Sequence, residues 1–257
     1  MWKIWMICFV SIVFGSHCTA ETFDYTSLDR VLQRSVDTQG HVDYRVLKTD
    51  VDLKYLVDHL SKVSPDTHPE LFPTRSDSLA FWINAYNVFV LHGVAKAYPI
   101  GSVREIAPDF GFFKKQYVIV GGRSFTLDDI ENKIIRNVFA DPRIHAAINC
   151  AAIGCPRIQG KSFNSNGLEG QLQAAMQAMI NDPQHVMIDR KAGFVALSSI
   201  FNWFETDFSG EPENKSKTVL GYISDFLNEG DQEFLAQHPD IEVRFLDYDW
   251  ALNDQKQ

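Results

Sequence analysis

Between Leu79 and Tyr98 the chain has almost no polar face. Leu79, Phe81, Trp82, Ile83, Tyr86, Val88, Phe89, Val90, Leu91 and Val94 point all round a 3.6-residue helix, and a helix apolar on every side has to be enclosed by other elements. The remainder of the fold is therefore expected to wrap around this segment, which Ser76 or Asp77 can cap and Pro99 ends. Asn84 and Asn87 are three apart and share a face. A buried amide without partners costs on the order of 1–3 kcal/mol, so the pair should either tie loop backbone to the helix, the preferred reading, or orient a catalytic group.

The flanking pattern supplies what encloses it. Leu28, Val31, Leu32 and Val36, then Leu53, Leu56, Val57 and Leu60, recur at three and four residues and predict two amphipathic helices within Phe23–Val63. Ser64–Ser76, with three prolines, reads as a loop. Tyr117–Phe125 is β-branched around Gly121-Gly122 and predicts a hairpin. Thr126 and Asp129 form a capping box for a helix to about Phe139. Gly167–Asn181 predicts a further helix, with Met176 and Met179 as core filler. His185–Asp189 and Gly193–Leu197 read as a second hairpin, followed by an aromatic helix, Ile200–Phe208. After a linker from Gly210 to Ser216, helices are expected over Lys217–Leu227 and Asp231–Ala236, and a last strand over Ile241–Leu246. Hairpins set between separate helices predict an α+β class, a single domain with helices around a small, mainly antiparallel sheet.

The first twenty residues carry the pattern of an export signal: Lys3, the apolar Ile4–Phe14, and Cys18-Thr19-Ala20 as a small-residue cleavage site. The apolar run is short of the ~20 residues that span a bilayer, and the bulky His17 argues against a lipid-modified Cys18. The expectation is a secreted or periplasmic chain starting near Glu21, with residues 21–257 forming one domain. The 24 basic and 33 acidic residues give −9, and loss of Lys3 makes it −10. An acidic chain without basic clusters suits neither nucleic acid nor an anionic membrane. Cys8 and Cys18 would leave with the signal, so an oxidising compartment would receive only Cys150 and Cys155.

Those two lie in the segment richest in usable chemistry, Asp141–Arg157, which also holds His145 and Asn149. Ile144–Cys150 is short and apolar and reads as a buried strand, with a short helix as the other possibility. At ~3.3 Å per residue His145 and Cys150 would stand about 16 Å apart, and in a helix five residues separate them around the axis. A direct dyad fails either way. Two arrangements remain. The chain turns back through Ala151–Gly154, so that Cys155 meets Cys150 in a disulfide, which needs Cα atoms about 5.5–6 Å apart, or returns towards His145 as a thiol. Alternatively His145 takes a carboxylate from elsewhere, Glu131 being the obvious one, which would set the tautomer and raise its basicity. The plainer reading is a buried imidazole bonded to backbone. Zinc on His145, Cys150 and Cys155 would have an unrecognised spacing and no evident fourth ligand. A phosphate loop, H-E-x-x-H and G-x-S-x-G are all absent, and Val-Gly-Gly-Arg is a hairpin turn.

Taken together, Gly40-His-Val-Asp-Tyr44, Leu79-Ala-Phe-Trp-Ile-Asn-Ala-Tyr-Asn87, Thr126-Leu-Asp-Asp-Ile-Glu131, Asp141-Pro-Arg-Ile-His145, Cys150-Ala-Ala-x-x-Cys155-Pro, Asp247-Tyr-Asp-Trp250 and Leu252-Asn253 resemble the domain of unknown function 547 family over nearly all the mature chain. The resemblance implies that Asn84, Asn87, Glu131, Arg136, His145, Cys150 and Cys155 are motif positions. Asn132 departs from it, standing where that family often has a histidine.

Two functions follow as expectations. The first is an exported hydrolase or acyl transferase with His145 as base, Glu131 orienting it, a cysteine as nucleophile and Asn84 or Asn87 as polar support, acting on a peptide, an amide or another small molecule. The second is a non-catalytic binding domain stabilised by a Cys150–Cys155 disulfide, with Trp203, Phe204, Tyr248 and Trp250 as its recognition surface. Aromatics of this kind more often belong to a core. No cofactor, metal, nucleic-acid or membrane partner is expected, and no sequence signature sets an oligomeric state.

Overall fold

The central helix runs from Arg75 to Ala97. It starts before the expected caps because Thr74 lies three residues ahead of Asp77, and the two close a reciprocal box: the Asp77 N–H donates to Thr74 Oγ1 at 3.1 Å and the Thr74 N–H to Asp77 Oδ2 at 3.0 Å. Length and composition would let this helix cross a membrane, but 83 % of its most apolar window is buried inside the protein, as an all-apolar core helix requires. The computed structural model of the chain describes residues 22–209 and 218–255. The expected signal segment and the linker from Gly210 to Ser216 fall outside the described residues.

Helices Thr26–Ser35 and Val51–Leu60 form as their periodicity predicts, with Leu28, Val31, Leu32, Leu53, Leu56 and Leu60 buried. Strands β1 (Tyr117–Val120) and β2 (Arg123–Thr126) make the Gly121-Gly122 hairpin. Both glycines have positive φ, 53° and 75°, which a two-residue turn of this hand requires. The box at Thr126 and Asp129 opens a helix over Asp129–Phe139, wound in the wide π form. Its i→i+5 repeat stacks Glu131 and Arg136 on one face.

Strands β3 (Val186–Asp189) and β4 (Phe194–Ser198) form the second hairpin, and β5 (Glu242–Leu246) joins β4 in parallel, completing a three-stranded sheet. The expected aromatic helix is two short ones, Ser199–Trp203 and Glu205–Ser209, broken at Phe204. Helices Val219–Ser224 and Glu229–Gln237 lead to β5. The class is α+β.

Two apolar clusters fill the interior. The larger surrounds the central helix, and the smaller lies between the β3–β5 sheet and the aromatic helices. Helix Leu168–Ile180 joins them, giving Leu168 and Leu172 to the first and Ala175, Met176, Met179 and Ile180 to the second, so Met176 and Met179 are core filler.

The strand expected over Ile144–Cys150 does not form. Pro142–Ala146 is a turn of 3-10 helix, and an irregular segment runs on to Cys150. Pro142 fixes φ at the first helical position, and Asp141 accepts the Arg143 N–H at 2.9 Å, the local chemistry of a helix start. An apolar run alone cannot outweigh a capped Asp-Pro beginning. This turn lies at the seam of the clusters, Ile144 and Ala147 in the larger and Ala146 in the smaller.

Candidate functional site

Asparagines hold the segment after the turn. Asn87 Nδ2 donates to the Ala147 carbonyl at 2.9 Å, and the Asn149 N–H donates to Asn87 Oδ1 at 2.9 Å. Asn149 in turn accepts the Ala151 N–H at 2.8 Å and donates to the Pro156 carbonyl at 2.8 Å. Asn253 reaches Asn149 Oδ1 at 3.3 Å and accepts from the Tyr44 hydroxyl at 2.7 Å. Asn84 does the same for another loop, bonding both N–H and carbonyl of Phe163 at 3.0 and 2.7 Å. Asn84 and Asn87 therefore tie loop backbone to the core helix and do not line the cavity described below. As catalytic support they are corrected to positioning residues, because both ends of each amide are consumed by backbone.

The C-terminal segment is laid along this loop by backbone bonds, Ile153 N–H to Ala251 O at 2.8 Å and Gly154 N–H to Asp249 O at 2.9 Å. Gly154 makes that approach possible: a Cβ there would sit 3.0 Å from the Asp249 nitrogen and 3.1 Å from its oxygen. Tyr248 and Trp250 are thereby carried to the site.

A cavity of about 370 Å³ opens here, lined by His145, Glu131, Cys150 and Cys155 together with Tyr86, Asn132, Trp203, Phe204, Tyr248 and Trp250 among others. That is within the range of small-ligand sites. Trp203 is 49 % exposed, and its ring lies 4.8 Å from Tyr248, itself 4.6 Å from Trp250. Phe204 and Tyr248 pack against the smaller core cluster and Trp250 against the larger, as expected of such aromatics, whereas Trp203 is turned outwards at the break at Phe204, and all four line the cavity.

His145 is buried, its ring stacked on Phe204 at 4.2 Å and set against Phe208 at 5.2 Å. Its carboxylate partner is Asp207, not Glu131: Nε2 and Asp207 Oδ2 are 2.7 Å apart. Asp207 also takes a forked pair from Arg136, Nε at 2.6 Å and Nη2 at 2.7 Å, a geometry that favours the ionised carboxylate. Burial opposes ionisation, but the bonds from His145 and Arg136 hold the Asp207 carboxyl well below its usual range. Burial lowers the pKa of His145, Asp207 works against that, and Arg136 reinforces it, so the ring is neutral near pH 7. A carboxylate only accepts. Nε2 therefore carries the proton, and the lone pair sits on Nδ1, which no described residue bonds. Arg136 lies over Phe204 at 4.6 Å and donates to Asn132 Oδ1 at 2.6 Å, which gives Asn132 a part in steadying the Asp207 clamp.

Glu131 lines the same cavity and accepts from the Tyr86 hydroxyl at 3.2 Å. Burial pushes its carboxyl up to about 7; Tyr86 and Arg136 oppose the shift, and Asp128 and Asp207 add to it. Between its ordinary 4.5 and about 7 the folded chain keeps a proton that the unfolded chain has lost, so this group's contribution to stability falls as pH rises through that window. Glu131→Gln should accordingly gain on the parent by on the order of 3 kcal/mol between pH 4.5 and 8. Chemical denaturation of both proteins across that range measures the difference, and parallel pH curves would refute it.

Cys150 and Cys155 stand at disulfide distance with Cα atoms 6.2 Å apart, so the turn through Ala151–Gly154 brings the two sulfurs together. Ala151 supplies the reversal with φ of 65°. The Tyr248 hydroxyl is 3.1 Å from each sulfur, and the Cys150 N–H donates to Cys155 Sγ at 2.9 Å. Among the described residues no group of three His, Cys, Asp or Glu side chains is placed to hold a metal ion.

Four of the six expected site residues thus share one cavity, Tyr86, Tyr248 and Trp250 complete its wall, and Asp207 stands behind it on His145 Nε2. The trace of Asp207 in the sequence is one of two carboxylates, with Glu205, among Trp203, Phe204 and Phe208. Residues 71–180 match the model of a family described as "Protein of unknown function, DUF547". No curated protein matches the chain, and no solved structure does.

Proposed function

We propose that the chain, whose residues 71–180 match the model of that family, is an exported hydrolase or acyl transferase with His145 as its general base. The observation that carries the reading is the Arg136–Asp207–His145 chain ending at a cavity that also holds Glu131. Asp207 fixes the tautomer, as an orienting carboxylate does in base-assisted acyl transfer. Nδ1 takes a proton from water, or from an acceptor hydroxyl or amine, as its oxygen or nitrogen attacks the acyl carbon. Glu131, about half protonated near neutral pH, gives its proton to the leaving group. With the sulfurs paired, water or the acceptor is the nucleophile; a cysteine takes that part only when the pair is open.

The wall of Trp203, Phe204, Tyr248 and Trp250 selects a small molecule or short peptide with an aromatic or apolar group next to the scissile bond. The export pattern in the first twenty residues supports a secreted or periplasmic setting.

The test is turnover of chromogenic aryl esters and aryl amides by the mature protein. The rate should rise as His145 loses its proton below pH 6.5 and fall as Glu131 ionises near pH 7, a narrow bell from which Glu131→Gln removes the alkaline limb. His145→Asn should lose about 10²–10⁴-fold. The exposed Trp203 favours a second reading, a non-catalytic binding domain. Tryptophan fluorescence quenched by aromatic ligands, with no turnover across the panel, would select it.

A further inference from the structure

The mechanism above leaves the sulfur pair idle although it forms part of the cavity wall. We propose that Cys150 and Cys155, closed as a disulfide, are a thiol-exchange site. Thiolates would attack at Cys150, and Cys155 would be the leaving group.

A bridge that serves only as a staple gains most from closing a long loop and from being sealed away. This one joins residues five apart, and a short loop constrains the unfolded chain least. A chain of this length also buries a core without help. The segment is already fixed by the Asn149 bonds to Ala151 and Pro156 and by backbone bonds to Asp249 and Ala251. Opening the pair therefore leaves its loop anchored.

The two sulfurs differ in the way exchange requires. Both residues line the cavity, but Cys150 is partly exposed whereas Cys155 is buried, at 8 %. An incoming thiolate reaches Cys150 first. Cys155 Sγ alone receives the Cys150 N–H, at 2.9 Å, and the Tyr248 hydroxyl, 3.1 Å from both sulfurs, can donate to it as charge develops there. These donors stabilise negative charge on that sulfur, and a better stabilised thiolate leaves faster.

In the first step the thiolate sulfur bonds to Cys150 Sγ, the Cys150–Cys155 bond breaks, and its electron pair goes to Cys155 as thiolate. A monothiol stops there as a mixed disulfide. In a dithiol the second thiolate attacks the substrate sulfur of that mixed disulfide and releases Cys150. The net change is oxidation of the dithiol to a disulfide and two-electron reduction of the cysteine pair. The wall of Trp203, Tyr248 and Trp250 beside the pair selects a thiol bearing an aromatic or apolar group, such as a small aryl thiol or a cysteine next to an aromatic residue in a peptide.

The test treats the native mature protein with benzyl mercaptan or with glutathione, quenches with acid, and maps adducts by mass spectrometry after alkylation. Adducts on Cys150 alone are expected, with Cys155 alkylated as the released thiol and benzyl mercaptan reacting at least tenfold faster than glutathione. Tyr248→Phe should slow adduct formation at least fivefold. Cys155→Ser, which keeps Cys150 without a resolving partner, should hold the adduct formed with an aryl disulfide. A pair that resists both thiols until denaturant is added, adducts shared equally by both sulfurs, two free thiols in the untreated protein, or a Tyr248→Phe rate equal to the parent's would each overturn the proposal. The assay contains no hydrolysable substrate, so its failure is distinct from failure of the acyl-transfer reading.

Discussion

Asp207→Asn is expected to lower kcat/KM for the acyl substrate by about 10³–10⁴-fold while the protein stays folded. An amide in that position can offer its N–H to Nε2 and so favour the tautomer with the proton on Nδ1, the nitrogen that must be free to act as base. The loss of about 10⁴ when an orienting aspartate becomes asparagine in a serine-protease triad sets the scale. The change also removes the charge that Arg136 holds through two bonds. Some loss of stability should accompany it, but stability and turnover can be read apart. Nitrogen-15 spectra of the imidazole report the tautomer, and the pH profile should lose its acid limb if the base is gone. Turnover within tenfold of the parent, with an unchanged ring tautomer, would reduce the pair to a structural ion pair.

Asn87→Ala should produce the largest loss of stability among the site's supports, about 3 kcal/mol. The substitution strands the Ala147 carbonyl and the Asn149 N–H, both on buried residues, and a buried backbone group without a partner costs about 1–3 kcal/mol. For a chain of this size that corresponds to a fall in Tm of roughly 10 °C. Hydrogen exchange should quicken at Ala147–Asn149, and the loop carrying His145 and Cys150 should loosen with it. Asn84→Ala, which frees Phe163 instead, is expected to cost a comparable amount without disturbing His145. A loss below 1 kcal/mol for Asn87→Ala would mean that water replaces the amide and that the loop is held elsewhere.

Much of the scaffold could be read along the chain because its signals are short-range. The all-apolar run from Leu79, the Gly121-Gly122 turn and the Thr126–Asp129 box each depend on neighbours within four residues, and each formed in place. Misreadings arose where two local signals competed. Ile144–Cys150 has the composition of a buried strand, but Asp141 and Pro142 start a helical turn that the composition does not reveal. The aromatic segment after Ile200 has helical spacing, yet it breaks at Phe204.

The site divides along the same line. His145, Glu131, Cys150 and Cys155 could be nominated one by one, since residue type and family motif mark them. Their partners could not. Glu131 is near in sequence and was the natural match for the imidazole, but the ring meets Asp207, 62 residues on, and Glu131 meets Tyr86, 45 residues back. Residue identity and spacing dictate helices, turns and caps, because those are settled by bonds between close neighbours. The choice between two carboxylates for one imidazole is settled by how helix Asp129–Phe139 and the aromatic helices pack around the seam of the two cores, and no short window of sequence contains that geometry.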